Sequence, residues 1–222
     1  MASNVTYKYI KQNPDIHTYI KNADAAVKAQ GYTEHSFAHV EKVADTVKMI
    51  LEGLGCEPRK VELGMIAAYM HDIGNVINRV DHAQSGAVMA FRLLDRLDMP
   101  ADEICEIISA IGNHDEGTAQ PLSAVTAALI IADKTDVRRS RVRNIEDLAD
   151  DIHDRVNFAV EKSELYFNED RSELILDLTI DNRISSVMEY FEIFMRRMIL
   201  CRRSADFLGV KFRIRANGSD LV

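Results

Sequence analysis

Apolar side chains recur every third or fourth position through most of the chain up to about Ser163, and a spacing of that kind commits those residues to helices. Phe37, Val40, Val43, Val47, Ile50 and Leu54 mark one face of a helix that begins near Thr33 and closes at Gly55. Pro14 starts an earlier helix that runs to about Gly31, since proline is tolerated in a first turn and glycine commonly follows a last one. A third helix covers about Lys60 to Asp72 with Leu63, Ile66, Ala67 and Met70 inward. Further helices are expected at about His82 to Leu97, Pro100 to Asn113, Pro121 to Thr135 and Ile145 to Glu164.

Beyond Ser163 the period changes. The stretch "ELYFNEDRSELILDLTID" places two short apolar segments around a polar turn, and Leu174, Leu176 and Leu178 alternate, so it reads as a β-hairpin. A long helix follows from about Arg183 to Leu208, with Ile184, Val187, Phe191, Phe194, Met198 and Ile199 on one side. Gly209 ends it, and "KFRIR" alternates like an edge strand. The expected organisation is a helical domain over residues 1–163 and a small α+β appendage over 164–222, too small to stand as a domain by itself.

At 222 residues and 47% hydrophobic the chain buries a real core. Its 27 basic and 35 acidic residues give a net charge of −8, with no lysine- or arginine-rich arm, which argues against a nucleic-acid scaffold. Cys56, Cys105 and Cys201 form no CxxC pair and are odd in number, as in a reducing compartment. The first residues lack the apolar core of a signal peptide, and no run approaches about 18 apolar residues. A cytoplasmic protein that does not enter membranes is expected; a homo-oligomer is compatible with everything above.

Against this apolar background several polar residues sit where burial is costly. His39 lies four residues, about 400° of helical rotation, before Val43, so it shares the inward face, with His35 one turn earlier. Taken alone it reads as a buried histidine bonded to backbone. His71 and Asp72 end an otherwise apolar helix. An ionised carboxylate there must be exposed, salt-bridged or bound to a cation. Asp133 follows "AVTAALIIA" with only Lys134 beside it, and His114 ends "EICEIISAIGNH". One cation site satisfies all four helices at once. The alternative needs four unrelated hydrogen-bonding solutions.

These residues, in this order and context, resemble the HD-domain superfamily of metal-dependent phosphohydrolases, whose motif is a histidine early in one helix, a His-Asp pair ending the next and a distant aspartate. His39 in "HVEKVA", His71 and Asp72 in "HDIGN" and Asp133 in "IIADKTD" carry the likeness, over about residues 30–165. "HAQSG" from His82 is similar to the His-x3-Gly element of dinuclear branches, the HD-GYP phosphodiesterases and diadenosine tetraphosphatases, and His114 in "AIGNHDEG" to the histidine that follows there. Asn75 stands where many members have lysine, and no GYP tripeptide follows. The resemblance implies a mainly α HD-domain bundle that hydrolyses a phosphate ester or anhydride of a small nucleotide or phosphorylated metabolite by metal-hydroxide attack. His39, His71, Asp72 and Asp133 would hold one ion, His82 and His114 would complete a second, and Asp72 would bridge. Four imidazoles and two carboxylates suit Mn, Fe, Co, Ni or Zn better than Mg. A di-iron oxygenase and a non-catalytic metal or nucleotide sensor are the alternatives.

Beyond Asp133 lies "KTDVRRSRVR". Lys134 is expected beside the leaving group, and Arg138 and Arg141 are candidates for the phosphate in place of the missing lysine. A solvated connection between helices is the other reading of this run. Arg196, Arg197, Arg202 and Arg203 read as plain surface, and Met188, Met195 and Met198 as core.

Overall fold

The helices form where the apolar spacing places them. The computed structural model describes residues 5–143, 148 and 151–221. A short α1 (Tyr7–Gln12) precedes α2 (Pro14–Ala29), whose first turn carries the proline and is capped by the Asn13 side chain. Next come α3 (Phe37–Gly53), α4 (Pro58–Met70), a 3₁₀ turn at Ile73–Val76, α5 (His82–Asp95), α6 (Ala101–Gly112) and α7 (Ala124–Lys134). Ser36 and Ser123 cap α3 and α7 by accepting hydrogen bonds from Ala38 and Thr126 backbone N–H groups.

α7 organises the bundle. Every residue from Val125 to Ala132 is buried, and a helix with no polar face has to be surrounded. It packs against α3, α4 and α6, and on a further side against α9 (Val187–Phe207). Asp133 therefore emerges from the middle of the molecule.

The helix expected from Ile145 to Glu164 is shorter than the sequence suggests. Its first part lies outside the described residues; α8 covers only Ile152–Ala159, and β1 begins at Val160. β1 (Val160–Phe167) pairs antiparallel with β2 (Glu173–Ile180), and those cross-strand bonds claim a segment that periodicity alone extends as helix. The "KFRIR" stretch is not an edge. β3 (Lys211–Ala216) runs parallel to β2 and antiparallel to the two-residue β4 (Ser219–Asp220), giving the order β1-β2-β3-β4. Asn217 and Gly218, both at positive φ, make the tight turn that adds β4. α9 is the crossover between β2 and β3. Its buried line is Tyr190, Phe194, Met198, Cys201 and Ala205, whereas Met188 and Met195, read as core, are exposed because they fall outside that line. Among the described residues no helix is long and apolar enough to cross a membrane.

Candidate metal centre

Five helix ends converge on one buried cluster. His39 lies in the first turn of α3 and His82 begins α5; His71 follows α4, His114 follows α6, and Asp133 lies in the last turn of α7. Asp72, directly after His71, sits between them. His39, His71, His82 and His114 are each at most 2% exposed, and Asp72 is 5% exposed.

Backbone carbonyls orient three of these rings and a carboxylate the fourth. Nδ1 of His71, His82 and His114 donates to the carbonyls of Ala68, Arg79 and Ile111 at 2.7, 2.9 and 2.6 Å, and Nδ1 of His39 donates to Asp136 Oδ2 at 2.8 Å. With Nδ1 carrying the hydrogen, each neutral ring turns an Nε2 lone pair toward the centre. Burial lowers the basicity of His82 and takes His114 down to about 3, so both remain neutral, ligand-ready bases. Burial opposes protonation of His71 as well, but Asp72 and Asp133 beside it outweigh that and raise its pKa.

Asp72 divides the cluster. Its Oδ2 lies 3.2 Å from His71 Nε2 and 3.7 Å from His39 Nε2, while Oδ1 lies 3.4 Å from His82 Nε2 and 3.9 Å from His114 Nε2. Asp133 Oδ1 closes the first group at 3.3 Å from His39 Nε2 and 3.8 Å from His71 Nε2. Burial alone would raise both carboxyls, but His71 beside Asp72 and Lys134 beside Asp133 lead the charges that hold them well below the usual carboxylate range. Three atoms aimed into the cluster, His39 Nε2, His71 Nε2 and Asp72 Oδ2, are buried without a hydrogen-bond partner among the described residues. Buried polar atoms left unpaired in this way cost about 1–3 kcal/mol each. Ligand atoms about 2.1 Å from a shared ion stand roughly 3.0–3.4 Å apart, close to the spacings found. The residues fit a divalent transition metal: among the described residues three overlapping ligand groups form, His39–His71–Asp72, His71–His114–Asp133 and Asp72–His82–His114.

A cavity of about 290 Å³ opens onto the cluster, and its lining brings Lys134, Arg79, Arg141 and Arg197 to the centre. Lys134 Nζ lies 2.7 Å from Asp133 Oδ2. Arg141 reaches the cavity, although its Nε and Nη1 donate to the carbonyls of Glu34 and Asp136 at 2.9 and 2.7 Å. Arg138 does not line it. Its guanidinium nitrogens donate to Asp136, Ser140 and the Ala38 carbonyl, so it braces the carboxylate that orients His39 instead of standing free for phosphate.

Sequence reasoning passed over Arg79 and Asp136 and set Arg197 on the surface. Asn75 Nδ2 donates to Asp72 Oδ1 at 2.9 Å, and Arg79 Nη1 donates to Asn75 Oδ1 at 3.2 Å and stands 3.9 Å from Asp72 Oδ1. Arg79 thus supplies the positive charge that Asn75 lacks; its one sequence signal was a place three residues before His82. Arg197, read as surface, is held by Glu116 and stacks over Phe194 with its guanidinium carbon 4.6 Å from the ring centre. No pattern local to α9 reveals that its neighbour is Glu116.

The HD domain family model matches residues 36–138, the span that contains His39, His71, Asp72, His82, His114 and Asp133. This segment matches the HD domain, and the match covers just under half of the chain. An uncharacterized protein of Methanocaldococcus jannaschii, MJ1020, is 28% identical over 159 residues; the match spans 62% of this chain and 61% of that protein. A crystal structure of a predicted HD superfamily hydrolase from an uncultured Thermotogales bacterium is similar over 56% of this chain and 67% of its own, at 24% identity and a TM-score of 0.45. The HD match ends before Asp151, Asp154, Asn157 and Arg197, all of which line the cavity.

Proposed function

We propose that this HD-domain protein is a metal-dependent phosphohydrolase that cleaves a phosphate ester or anhydride of a small nucleotide or phosphorylated metabolite. The observation that carries the reading is Asp72, whose two oxygens face two separate sets of imidazole lone pairs in a cavity whose lining includes Arg79, Lys134, Arg141 and Arg197. A divalent metal bound there supplies Lewis acidity toward a phosphoryl oxygen and lowers the pKa of water. His39, His71, Asp72 and Asp133 would hold one ion and His82 and His114, with Asp72, a second.

The chain's own groups then divide the remaining work. Arg79 and Arg197 offer guanidinium nitrogens to phosphate oxygens at the cavity wall. Lys134, kept beside Asp133, offsets charge that develops on the leaving oxygen. Asn75 fixes the Asp72 carboxylate by donating to its backbone and side-chain oxygens.

The test is a panel of nucleotides and phosphoesters assayed with Mn²⁺, Fe²⁺, Co²⁺, Ni²⁺, Zn²⁺ and Mg²⁺. Phosphate release with a transition metal, lost in Asp72→Ala, is the expected result. Nucleotide binding without turnover under every metal would replace the proposal with a sensor.

A further inference from the structure

The cavity has a second wall that the metal centre does not use. Asp154 and Asn157 of α8, each 7% exposed, line it opposite no ligand of their own. Among the described residues no hydrogen bond reaches the Asp154 carboxylate; only its backbone N–H is engaged, by the Asp151 side chain that caps α8. Asn157 donates its Nδ2 to the His153 carbonyl at 2.8 Å, which leaves Oδ1 as an acceptor. Three residues apart on one helix, the two side chains are neighbours and present acceptors side by side.

A carboxylate is a poor lining for a cavity whose other end binds an anion. It repels phosphate and loses hydration when a substrate covers it, a loss that only donors from the substrate offset. Burial and the nearby charge of Asp151 already raise its pKa. An ammonium group would supply donors, but Arg79, Lys134, Arg141 and Arg197 around the same space oppose a cation, and of the carboxylates that share the lining Asp72 and Asp133 belong to the metal cluster. Neutral hydroxyls meet no such opposition, and two adjacent hydroxyls match two adjacent acceptors. At about 290 Å³ the cavity also falls at the small end of ligand sites, which span roughly 300–1,000 Å³, so it suits one phosphorylated unit and not two nucleosides.

We propose that α8 and α9, outside the segment matched to the HD domain, form a substrate-selecting subsite: the phosphate lies between the metal centre and Arg197, and vicinal hydroxyls of the same molecule donate to Asp154 and Asn157. The substrate class is a phosphate ester of a polyol, a sugar phosphate or the ribose phosphate of a mononucleotide. This rests on the phosphohydrolase reading and adds the group that the enzyme recognises beside the phosphate.

The test compares glycerol 3-phosphate with propyl phosphate, equal in chain length and differing by the two hydroxyls. In the metal-loaded protein, kcat/KM for glycerol 3-phosphate should exceed that for propyl phosphate by about tenfold or more, as expected for hydrogen bonds to a charged acceptor. Asp154→Asn should raise KM for glycerol 3-phosphate by a similar factor and leave propyl phosphate unchanged; Asn157→Ala should act in the same direction and serves if the first variant folds poorly. Ribose 5-phosphate and AMP, run beside them, tell a free sugar from a nucleotide. Thermal melting of the metal-free protein with each ester reads the subsite without turnover, so a protein that hydrolyses nothing yet is stabilised more by glycerol 3-phosphate refutes only the phosphohydrolase reading. Equal binding of the two esters, equal losses for both in Asp154→Asn, or a preference for phosphoethanolamine would overturn the subsite.

Discussion

The Nε2 atoms of His82 and His114 lie 3.2 Å apart on rings whose Nδ1 hydrogens are already given to main-chain carbonyls. Two neutral imidazoles in that arrangement point lone pair at lone pair, an unfavourable contact that a shared cation turns into coordination. His82→Ala should therefore lower bound transition metal from two ions per chain to one, as read by elemental analysis of the purified protein. Retention of both ions would show that His82 is no ligand.

Asp72 touches both groups, so Asp72→Ala should remove metal and turnover together while circular dichroism still reports the helical fold. In the unaltered protein, chelation should lower the melting temperature. An ion present at a thousand times its dissociation constant stabilises by about 4 kcal/mol. A variant that kept its full metal content would refute the bridging role.

Asp136 is 2% exposed, and it accepts from His39 Nδ1, from Arg138 Nε and from Lys42 Nζ at 2.8, 2.8 and 3.2 Å. Asp136→Ala leaves these partners uncompensated and should cost about 3–5 kcal/mol in urea denaturation. Asp136→Asn, which keeps an acceptor for His39, should cost less. A loss under 1 kcal/mol for the alanine variant would mean that the brace is not structural.

Gly74 and Gly86 bring the 3₁₀ turn against α5. A Cβ on Gly74 would stand 2.0 Å from the His82 carbonyl oxygen and 2.5 Å from the Gly86 nitrogen, both backbone atoms that cannot swing aside. Gly74→Ala should displace the start of α5, lower the melting temperature by several degrees and weaken the ion held by His82 more than the one held by His39. Metal titration of the variant separates the two losses; wild-type melting and metal content would show that the contact yields without consequence.

Glu189 anchors α9 to the loop before it. Hydrogen bonds from the Ser186 backbone, then from the Ser185 and Ser186 hydroxyls and Arg155, lower its pKa from 4.5 to about 2. A carboxyl depressed by folding stabilises the native state above its unfolded pKa, and that stabilisation disappears as pH falls through its folded value. Wild type should thus melt above Glu189→Gln at pH 7 and 5, and the two curves should converge between about pH 4.5 and 2. A constant difference across that range would assign the effect to packing.

Much of the fold was legible because helical periodicity and end signals are local. The Pro14 start, the Gly55 and Gly209 stops and the apolar face of α3 follow from steric and hydrophobic rules that act within a few residues. The burial of His39, His71, His114 and Asp72, and the place of Asp133 beside them, was legible for a related reason: each sits in or at the end of an apolar run, where a polar group has no cheap solution by itself. The sequence alone determined that these residues share the interior.

Tertiary structure decided which partners they meet. Arg138 and Arg141 look alike in "RRSRVR", yet Arg141 lines the cavity and Arg138 is consumed by Asp136, because Asp136 sits two residues before Arg138 and faces back toward His39. Strand β1 replaced the end of an expected helix because β2 offered it a hydrogen-bonded ladder that no window around Val160 contains. Arg197 entered the cavity only because α9 docks on α7, so that a surface-like arginine finds Phe194 beneath it and Glu116 beside it. Periodicity fixes the face that a helix buries within its own turns; what waits on the other side of that face comes from residues far along the chain, and only the packed molecule brings them there.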